Sequence, residues 1–573
     1  MRIIGIHDGH NAAACLVEDG VVRAALQEER LTRIKNHDTF PKRAVEWLLA
    51  EAGCGWGGID AVAMNGFHMP VHRDRERLIR DTRLGGSRKP ARMIRRIGRS
   101  FGPVLDSWKA RRREEREAEA RAAGVDISRI VYIEHHRCHA EAAYWGSPFR
   151  GEPVLVMTAD GAGDDLCATV STVDENGVMT RIAQVDESAS PAMVYLAVTT
   201  LLGMVPNEHE YKLMGMAPYG SAKGAEAVYK IFEKMFEWDP VQPLGWRRRR
   251  GIPNTYYCYD WLRRKLELKR FDIVCAGLQL WIERMLGEWV GWAIAETDIR
   301  KVALSGGIFM NVKANQVIAE SLGVKDLFIF PSCGDETNAI GAAYAVYNER
   351  RKPSEPPVQP LGPIYWGPET KAADIEAALH AAASDFTFSR PENMAAHAAG
   401  FLARGEVVAR FEGRAEFGAR ALGNRSILAN PSDHKVIKRI NEMIKCRDFW
   451  MPFACSILAE REHDYIVNPK RIAAPYMILT FAATGRVNEI EAGTHPYDNT
   501  VRPQILRRDW NPGYWDLIRA FEERTGIGAV LNTSFNLHGH PIVNSPAEAL
   551  DVMRRSGLQY LILGPWWVEK KVA

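Results

Sequence analysis

The chain has 573 residues, of which 46% are hydrophobic and 25% are charged, and its formal net charge is +3. A chain of this length exceeds one hydrophobic core, so the sequence predicts a soluble globular protein of two or three domains. A charge so close to neutral favours neither a nucleic-acid nor a membrane partner, and no apolar run reaches the ~18 residues of a membrane span. The nine scattered cysteines contain no CxxC pair and indicate reduced thiols in a cytoplasmic protein.

The first thirty residues predict three strands rather than a signal peptide, with a tight turn at residues 18–20. The pattern returns downstream, where one strand ends in the sequence DGAGD at residues 160–164 and the next two flank a turn at residues 175–177. This repeat favours an internal duplication. The fold that uses it is actin-like, with two α/β lobes and a nucleotide cleft between them. Two similar hairpins can also arise by chance, so this alternative stays open.

Strands and helices alternate in the next part of the chain. A long apolar helix is predicted around residues 271–295, followed by a strand at 301–304, a Ser-Gly-Gly turn and another helix. A further strand at 326–330 closes on the sequence PSCGD. Alternation of this kind predicts a layered and largely parallel sheet.

Six prolines between residues 351 and 369 mark the clearest domain boundary. We predict a first domain over residues 1–350, a semi-rigid linker over 351–369 and a second α/β domain over 370–573.

An arginine-rich insertion is predicted at about residues 70–125 of the first domain. Its basic runs, such as the three arginines at 111–113, mix with acidic residues in helical register. One interpretation is a solvated helical insertion. The other is a rim that attracts an anionic substrate or partner.

The residues most typical of metal binding are two histidines and two aspartates. His135 and His139 lie where a helix should begin, four residues apart and therefore on one face, although such a pair is also typical of ordinary histidines. Asp160 and Asp335 each end a predicted strand at a glycine-rich turn, the position that lines the cleft of such a fold. Two imidazoles and two carboxylates with open positions suit Fe(II) or Mn(II) better than a closed structural zinc site.

The same turns predict a nucleotide site. Glycine lets the backbone approach phosphate or ribose closely. The candidate residues are Gly161, Gly163, Gly306 and Gly307.

Nine sequence blocks resemble the family of nodulation-factor and cephalosporin O-carbamoyltransferases, in family order over nearly the whole chain. The blocks are GHNAAA, EERLTR, HHRCHA, EYKLMGMAPYG, LSGGIFMNVKAN, GRAEFGARALGNRSIL, NEMIKCRDFWMPFA, DNTVRPQ and NTSFN. The resemblance implies a duplicated actin-like (Kae1-like) first domain and a YrdC-like α/β second domain.

The resemblance also implies a two-step reaction. The second domain would form carbamoyl-adenylate and pyrophosphate from carbamoyl phosphate and ATP, with Mg²⁺. The first domain would then pass the carbamoyl group, beside Fe²⁺ or another divalent metal, to a hydroxyl group of a small molecule such as a natural product or a sugar. The sequence does not identify this acceptor.

Roles for individual residues follow from the same resemblance. Arginine binds phosphate oxygens bidentately, which favours polyphosphate binding by the arginines of the glycine-rich segment at 413–425. His10 matches a family histidine of the transfer step and could accept the hydroxyl proton. The implied catalytic residues are His10, Lys445, Arg502 and Ser534, and the implied nucleotide contacts are Asn311, Arg420, Arg425 and Asn532. The chain departs from many members at Met451, where they carry an arginine.

Two other functions stay open on the sequence alone. A tRNA threonylcarbamoyl-adenosine transferase uses the same two folds, and the arginine-rich insertion could then bind RNA phosphates. A sugar kinase or ATPase of the actin-like fold would release ADP instead of AMP and pyrophosphate. The oligomeric state is open as well, a homodimer included.

Overall fold

The computed structural model describes residues 1–68, 75–84 and 102–571. The chain forms two compact units, of which the first comprises Met1–Ala24 and Asn36–Leu361. The second comprises Ala25–Lys35 and Gly362–Ala573, so a short early segment belongs with the second half of the chain. Much of the predicted insertion, at positions 69–74 and 85–101, lies outside the described residues.

Strands in the first unit form two five-stranded sheets and one two-stranded ribbon, and one of these strands, Val21–Gln27, runs on into the segment Ala25–Lys35 of the second unit. The strands are β1 (Arg2–His7), β2 (Ala13–Glu18), β3 (Val21–Gln27), β4 (Ala61–Asn65), β5 (Ile130–Ile133), β6 (Val154–Gly163), β7 (Leu166–Val173), β8 (Met179–Asp186), β9 (Phe236–Trp238), β10 (Trp246–Arg248), β11 (Lys301–Ser305) and β12 (Asp326–Ile329).

The two large sheets have the same topology. Their orders are β3-β2-β1-β4-β5 and β8-β7-β6-β11-β12. In each, the central strand (β1 or β6) pairs antiparallel with its hairpin partner and parallel with the strand on its other side. The shared order and directions confirm the predicted repeat of the strand pattern, and the pairing of β11 with β6 and β12 confirms the parallel part.

Helices of the first unit cover these sheets. They are Lys42–Glu51, Arg75–Leu84, Gly102–Ala122, His135–Gly146, Pro191–Leu201, Glu210–Met216, Ala222–Glu233, Tyr259–Leu266, Phe271–Thr297, Val312–Glu320 and Asn338–Arg350. The last of them, Asn338–Arg350, packs so closely against two neighbouring elements that only glycine fits at each contact. A Cβ atom on Gly341 would lie 1.8 Å from the Cys138 carbonyl oxygen, and one on Gly5 would lie 1.9 Å from the Ala339 carbonyl oxygen. Glycine at both positions therefore lets the helix pack against β1 and the helix His135–Gly146.

The second unit is built on an eight-stranded mixed sheet. The ten strands of this unit are β13 (Phe386–Ser389), β14 (Val408–Phe411), β15 (Arg425–Ala429), β16 (Ala454–Leu458), β17 (Phe481–Ala482), β18 (Thr500–Val501), β19 (Pro503–Leu506), β20 (Ala529–Ser534), β21 (Tyr560–Leu563) and β22 (Trp566–Lys570). The sheet order is β13-β22-β21-β14-β15-β20-β16-β19, while β17 and β18 pair separately.

Helices of the second unit are Glu29–Thr32, Ala372–Ala381, Met394–Ala403, Lys435–Ile440, Glu462–Tyr465, Pro512–Thr525 and Pro546–Arg555, with a π-helical turn at Asn441–Lys445. The early helix Glu29–Thr32 is anchored by arginines. The buried Arg30 donates to the Gly418 carbonyl at 2.6 Å, and Arg33 donates to the carbonyls of Pro541 (2.8 Å) and Ile542 (2.7 Å).

All nine cysteines are free thiols, as the sequence predicts. Within the described ranges, no helix has the length and apolar character needed to cross a membrane.

Candidate functional site

The helix His135–Gly146 supplies two imidazoles to a buried cluster. It begins where the side chain of Glu134 accepts hydrogen bonds from the backbone N–H groups of His136 and Arg137. His135 and His139 stand on one face, with ring centroids 4.9 Å apart, and are 1% and 0% exposed. The ring of His136 faces elsewhere, since its Nδ1 lies 2.8 Å from the Thr158 hydroxyl.

Two carboxylates face these imidazoles. His135 Nε2 lies 3.2 Å from Asp160 Oδ2 and 3.5 Å from Asp335 Oδ1, and His139 Nε2 lies 3.4 Å from the same Asp335 oxygen. One possible ligand atom from each of the four residues lies within 4.8 Å of the other three. The structure therefore brings the four predicted metal ligands together.

The imidazoles and carboxylates of this cluster shift one another's pKa. Burial alone would lower the pKa of His135, but the Asp335 and Asp160 carboxylates raise it to about 9. Burial and the neighbouring Asp160 raise the pKa of Asp335 to about 6, against the effect of His135. Burial and His135 lower the pKa of His139 to about 3. The cluster thus holds positive charge between two acids, the place that a cation would take.

The donor set fits a divalent ion. Asp335 Oδ1 is buried without a hydrogen-bond partner, although it faces both imidazoles. Imidazole nitrogens and carboxylate oxygens together are the ligands that Fe(II), Mn(II) and similar ions accept. His135, His139, Asp160 and Asp335 would hold such an ion.

Three of the predicted nucleotide glycines shape this cluster. A Cβ atom on Gly163 would lie 2.1 Å from the ring of His135, and one on Gly307 would lie 2.6 Å from Asp160 Oδ1. The backbone N–H of Gly307 donates to that Asp160 oxygen at 2.8 Å. Gly306 has a φ of +113°, and a Cβ there would lie 2.2 Å from the Ala159 carbonyl oxygen. Their close packing accounts for glycine at these positions, and nucleotide binding there stays a prediction.

The other two predicted nucleotide contacts of the first unit, Gly161 and Asn311, differ in their surroundings. Gly161 has no neighbouring atom within 4 Å of a Cβ position, so the space beside it is open. The amide of Asn311 exchanges two hydrogen bonds of 2.9 Å with the amide of Gln279 and also caps the helix Val312–Glu320.

The loop after β1 carries the predicted base, His10, which is half-buried. The buried His7 fixes this loop, because its Nε2 donates to the His10 carbonyl at 2.9 Å while its Nδ1 accepts from Asn65 at 2.9 Å. Asn65 Nδ2 also lies 3.5 Å from His135 Nδ1, so this amide joins the loop to the cluster. A proton-accepting role of His10 stays a prediction.

One residue that sequence reasoning assigned to a solvated helix face is buried instead. Arg116, on the helix Gly102–Ala122, is 1% exposed. Its Nε and Nη2 donate to the two Asp8 carboxylate oxygens at 2.7 and 2.9 Å, and it also donates to the Asn65 and Gly66 carbonyls at 2.7 Å each. The fully solvated interpretation is therefore wrong for this position. The sequence carried no signal for it, since the partners lie 50 to 108 positions away.

Of the arginines at 111–113 on the same helix, Arg111 and Arg113 are solvated, as one of the two interpretations predicts, and Arg112 is not. The three arginines pair with Glu115 and Glu117 at 2.9 to 3.3 Å and, apart from the less exposed Arg112, are half or more exposed.

A pocket in the second unit gathers three arginines. Its described lining comprises Ala419, Arg420, Ala421, Arg447, Phe453, Ala454, Met477, Arg502, Asn532, Thr533 and Ser534, among which there is no acidic residue. Arg502 Nε is buried without a hydrogen-bond partner. Burial, Arg420 and Arg447 hold the pKa of Arg502 well below its usual range. Three cationic side chains that line one cavity indicate an anion site.

Lys445 and Ser534 meet at the side of this pocket. Lys445 Nζ donates to the Ser534 hydroxyl at 3.2 Å, to Asn536 Oδ1 at 2.7 Å and to the carbonyls of both residues. Burial and Arg447 lower the pKa of this lysine well below its usual range. The lysine thus fixes the loop at the end of β20 that carries Ser534 into the pocket.

Asn532 is part of the pocket lining, whereas Arg425 is not. Asn532 Nδ2 donates to the Ala421 carbonyl at 3.1 Å and so supports the turn that carries Arg420. Arg425 is fully buried and donates to the carbonyls of Glu412, Gly413 and Asn424 at 2.9 to 3.0 Å. Arg425 therefore stabilises the glycine-rich segment, whereas Arg420 lines the cavity.

Two family models match the chain. The model described as Carbamoyltransferase N-terminus matches residues 2–344, and the one described as Carbamoyltransferase C-terminus matches residues 399–570. The chain belongs to the carbamoyltransferase family and is an enzyme of that class.

Two of its relatives are nodulation proteins. The chain is 32% identical to Nodulation protein NolNO of Sinorhizobium fredii, over 98% of this chain and 79% of that protein. It is 33% identical to Nodulation protein NolO of Bradyrhizobium diazoefficiens, over 77% of this chain and 79% of that protein. Among solved structures, component A of Acidaminococcus fermentans (R)-2-hydroxyglutaryl-CoA dehydratase gives a TM-score of 0.33 at 14% identity, covering 61% of this chain and 98% of that one. So low a score supports no conclusion.

Proposed function

We propose that the protein is an ATP-dependent O-carbamoyltransferase that makes carbamoyl-adenylate in its second unit and uses it in its first. Family membership supports the carbamoyl chemistry. The observation that carries the use of ATP is the pocket of Arg420, Arg447 and Arg502, because both carbamoyl phosphate and the ATP triphosphate are polyanions.

The activation half consumes carbamoyl phosphate and ATP. Water cleaves carbamoyl phosphate to carbamate and phosphate. A carbamate oxygen then attacks the α-phosphorus of ATP, and the bond to the bridging oxygen breaks, which releases pyrophosphate. The three arginines bind the phosphate oxygens, and Lys445 holds Ser534 beside them. Their charge stabilises the negative charge that builds up during both displacements.

The transfer half uses the cluster in the first unit. The acceptor hydroxyl attacks the carbamoyl carbon, the carbon–oxygen bond to AMP breaks, and His10 takes the hydroxyl proton. A divalent ion held by His135, His139, Asp160 and Asp335 would act as a Lewis acid on the carbamoyl oxygen. The proposal includes a Kae1-like fold for the first unit, supported by its repeated sheets, and a YrdC-like fold for the second.

The acceptor in this proposal is a small molecule with a free hydroxyl group. The resemblance of the nine sequence blocks to nodulation-factor and cephalosporin O-carbamoyltransferases supports this class, as does a net charge of +3, which is too low to favour nucleic acid. Nine free cysteines are consistent with a cytoplasmic enzyme.

Product analysis of the purified protein with ATP, Mg²⁺ and carbamoyl phosphate tests the proposal without a known acceptor. We expect pyrophosphate and AMP, formed only when carbamoyl phosphate is present. Release of ADP, or ATP turnover that does not depend on carbamoyl phosphate, would exclude the adenylate route and favour a kinase-like reaction.

A further inference from the structure

Asn338 is a buried amide at the edge of the metal cluster that no predicted role includes. It begins the helix Asn338–Arg350, three residues after Asp335, and is 0% exposed. Its Nδ2 lies 3.1 Å from His139 Nε2, the nitrogen that faces the Asp335 carboxylate at 3.4 Å. The close packing of Gly341 against Cys138 fixes the helix in this place.

The hydrogen-bond pattern around this amide is incomplete. With Nδ2 toward His139, Asn338 Oδ1 is buried and has no hydrogen-bond partner. The amide N–H would also occupy the Nε2 lone pair that a metal ion needs. A buried amide oxygen without a partner is unfavourable by about 1–3 kcal/mol. The oxygen and nitrogen of an asparagine amide occupy equivalent positions after a 180° rotation, and the hydrogen-bond network decides between them.

Rotation of the amide leaves the Nε2 lone pair free and gives Oδ1 a partner, while the NH₂ group takes the position that Oδ1 had. It brings Oδ1 next to His139 Nε2, where the oxygen accepts the Nε2 proton when no metal is bound. The other ring nitrogen, Nδ1, lies 3.1 Å from the Ser305 hydroxyl, which can donate to it. When a metal ion replaces the Nε2 proton, the same oxygen faces the ion with its lone pairs.

The spacing and chemistry suit a shared ion. Two ligand atoms at about 2.1 Å from one ion and at right angles are about 3.0 Å apart. The 3.1 Å between the amide and His139 Nε2 matches this value. Amide oxygen is a hard, neutral donor that divalent ions accept without adding to the charge of two carboxylates.

We infer that Asn338 is a fifth metal ligand, binding the ion of the proposed transfer site through its amide oxygen; this inference rests on the metal site of the proposed function. The opposite role is that Asn338 donates to His139 Nε2 and competes with the metal. The two roles predict changes of opposite sign in metal affinity.

Metal affinity of the full-length protein decides between them. The protein is stripped with a chelator and titrated with Co(II), with the Asn338→Ala and Asn338→Asp variants in parallel. We expect Asn338→Ala to weaken Co(II) binding by at least tenfold. Its visible absorption should become more intense, as Co(II) complexes do when they lose a ligand. Asn338→Asp keeps an oxygen donor and should bind Co(II) at least as tightly as the wild type.

A matched control lies on the same helix. Asn348 donates to the Tyr344 carbonyl at 3.0 Å and is not among the cluster residues, so Asn348→Ala should leave Co(II) affinity unchanged. Unchanged or tighter binding by Asn338→Ala would overturn the inference. Asn338→Asp answers the same question if the alanine variant does not fold, because weaker binding by this variant would also overturn the inference.

The outcome is separable from that of the proposed function. Equal Co(II) binding by wild type and Asn338→Ala removes the fifth ligand but leaves the four-residue site intact. Absence of Co(II) binding by the wild type overturns the metal site and this inference, while pyrophosphate formation from carbamoyl phosphate reports on the second unit alone.

Discussion

The two candidate sites bury charge in opposite ways. In the first unit, buried charges alternate in sign, with His135 between Asp160 and Asp335 and Arg116 against Asp8 at 2.7 Å. In the second unit, Arg420, Arg447 and Arg502 face one pocket, whose described lining contains no acid.

This difference shows which charges the protein pairs by itself and which charges a bound ligand would pair. A buried ion pair with full hydrogen bonding is complete in the protein alone, and loss of either partner strands the other. A group of partly buried like charges is unfavourable by itself and is stabilised when an anion binds. The predictions below test this contrast by exchanging one residue type, arginine, in both places.

The largest effect is expected for Arg116→Met. This change leaves Asp8 buried without its partner, so the free energy of unfolding should fall by about 3–5 kcal/mol. Urea denaturation measures it. Arg111→Met, at a position 80% exposed on the same helix, is the control and should change stability by less than about 0.5 kcal/mol. Equal effects of the two changes would show that the Asp8 pair does not stabilise the fold.

Arg502→Met should have the opposite effect on stability. It removes a cation whose charged neighbours are Arg420 and Arg447, so the free energy of unfolding should stay constant or rise by about 1 kcal/mol. Pyrophosphate formation from carbamoyl phosphate and ATP should fall by about 10²–10³-fold, because a charged phosphate contact is lost. Arg508→Met, at a position 67% exposed, should alter neither quantity. A fall of several kcal/mol in the free energy of unfolding of Arg502→Met would show that this arginine stabilises the free protein, against the comparison.

Removal of a proposed metal ligand should weaken metal binding in the first unit and leave the reaction proposed for the second unit unchanged. His139→Ala should weaken Co(II) binding by at least about 10²-fold, since even residues that only support a ligand are worth about 10–100-fold. Carbamoyl phosphate-dependent pyrophosphate formation should be unchanged. The control is the surface variant His380→Ala, measured by the same Co(II) titration. A parallel loss of pyrophosphate formation in His139→Ala would contradict the assignment of the two half-reactions to separate sites.

Glu210 extends the comparison to a carboxylate for which no cation partner is present among the described residues. Burial raises its pKa to about 7 from the usual 4.5, while its Oε1 accepts from the Asn207 N–H at 2.8 Å. The folded state therefore holds a proton that the unfolded state has lost, and the free energy of unfolding falls as the pH rises from about 4.5 to 7.

Glu210→Gln removes this titration and keeps an oxygen acceptor. The variant should match the wild type near pH 5 and exceed its free energy of unfolding by about 1–2 kcal/mol at pH 8. Thermal and urea unfolding across this range measure the difference. Glu208→Gln removes the same charge two residues earlier, and if both variants behave alike, net charge rather than burial is the cause.

Local patterns were sufficient to predict much of the fold and the metal cluster. The spacing of His135 and His139 follows from helical geometry, and the repeated hairpins predicted the two matching sheets. Asp160 and Asp335 were identifiable because each accompanies a glycine-rich turn near the end of a strand. In each case the signal lies within about ten neighbouring residues.

What the sequence did not predict depends on contacts between distant segments. Arg116 follows the solvated Arg111 and Arg113 in the sequence, and only the tertiary structure distinguishes it from them. Arg425 was placed with the phosphate contacts because of its type and turn, yet its Nη1 and Nη2 donate to three carbonyls of its own segment. Asn338 has no motif of its own, since its position follows from how closely two helices pack at Gly341.

The early segment Ala25–Lys35 has a consequence for how the molecule can be divided. The chain passes between its two units three times, after residues 24, 35 and 361. A fragment that starts at the proline-rich stretch therefore lacks Arg30 and Arg33, which bond to carbonyls in the second unit. The second unit cannot be excised as one continuous piece of sequence. To study this unit alone, the peptide Ala25–Lys35 would have to be joined to a fragment of residues 362–573.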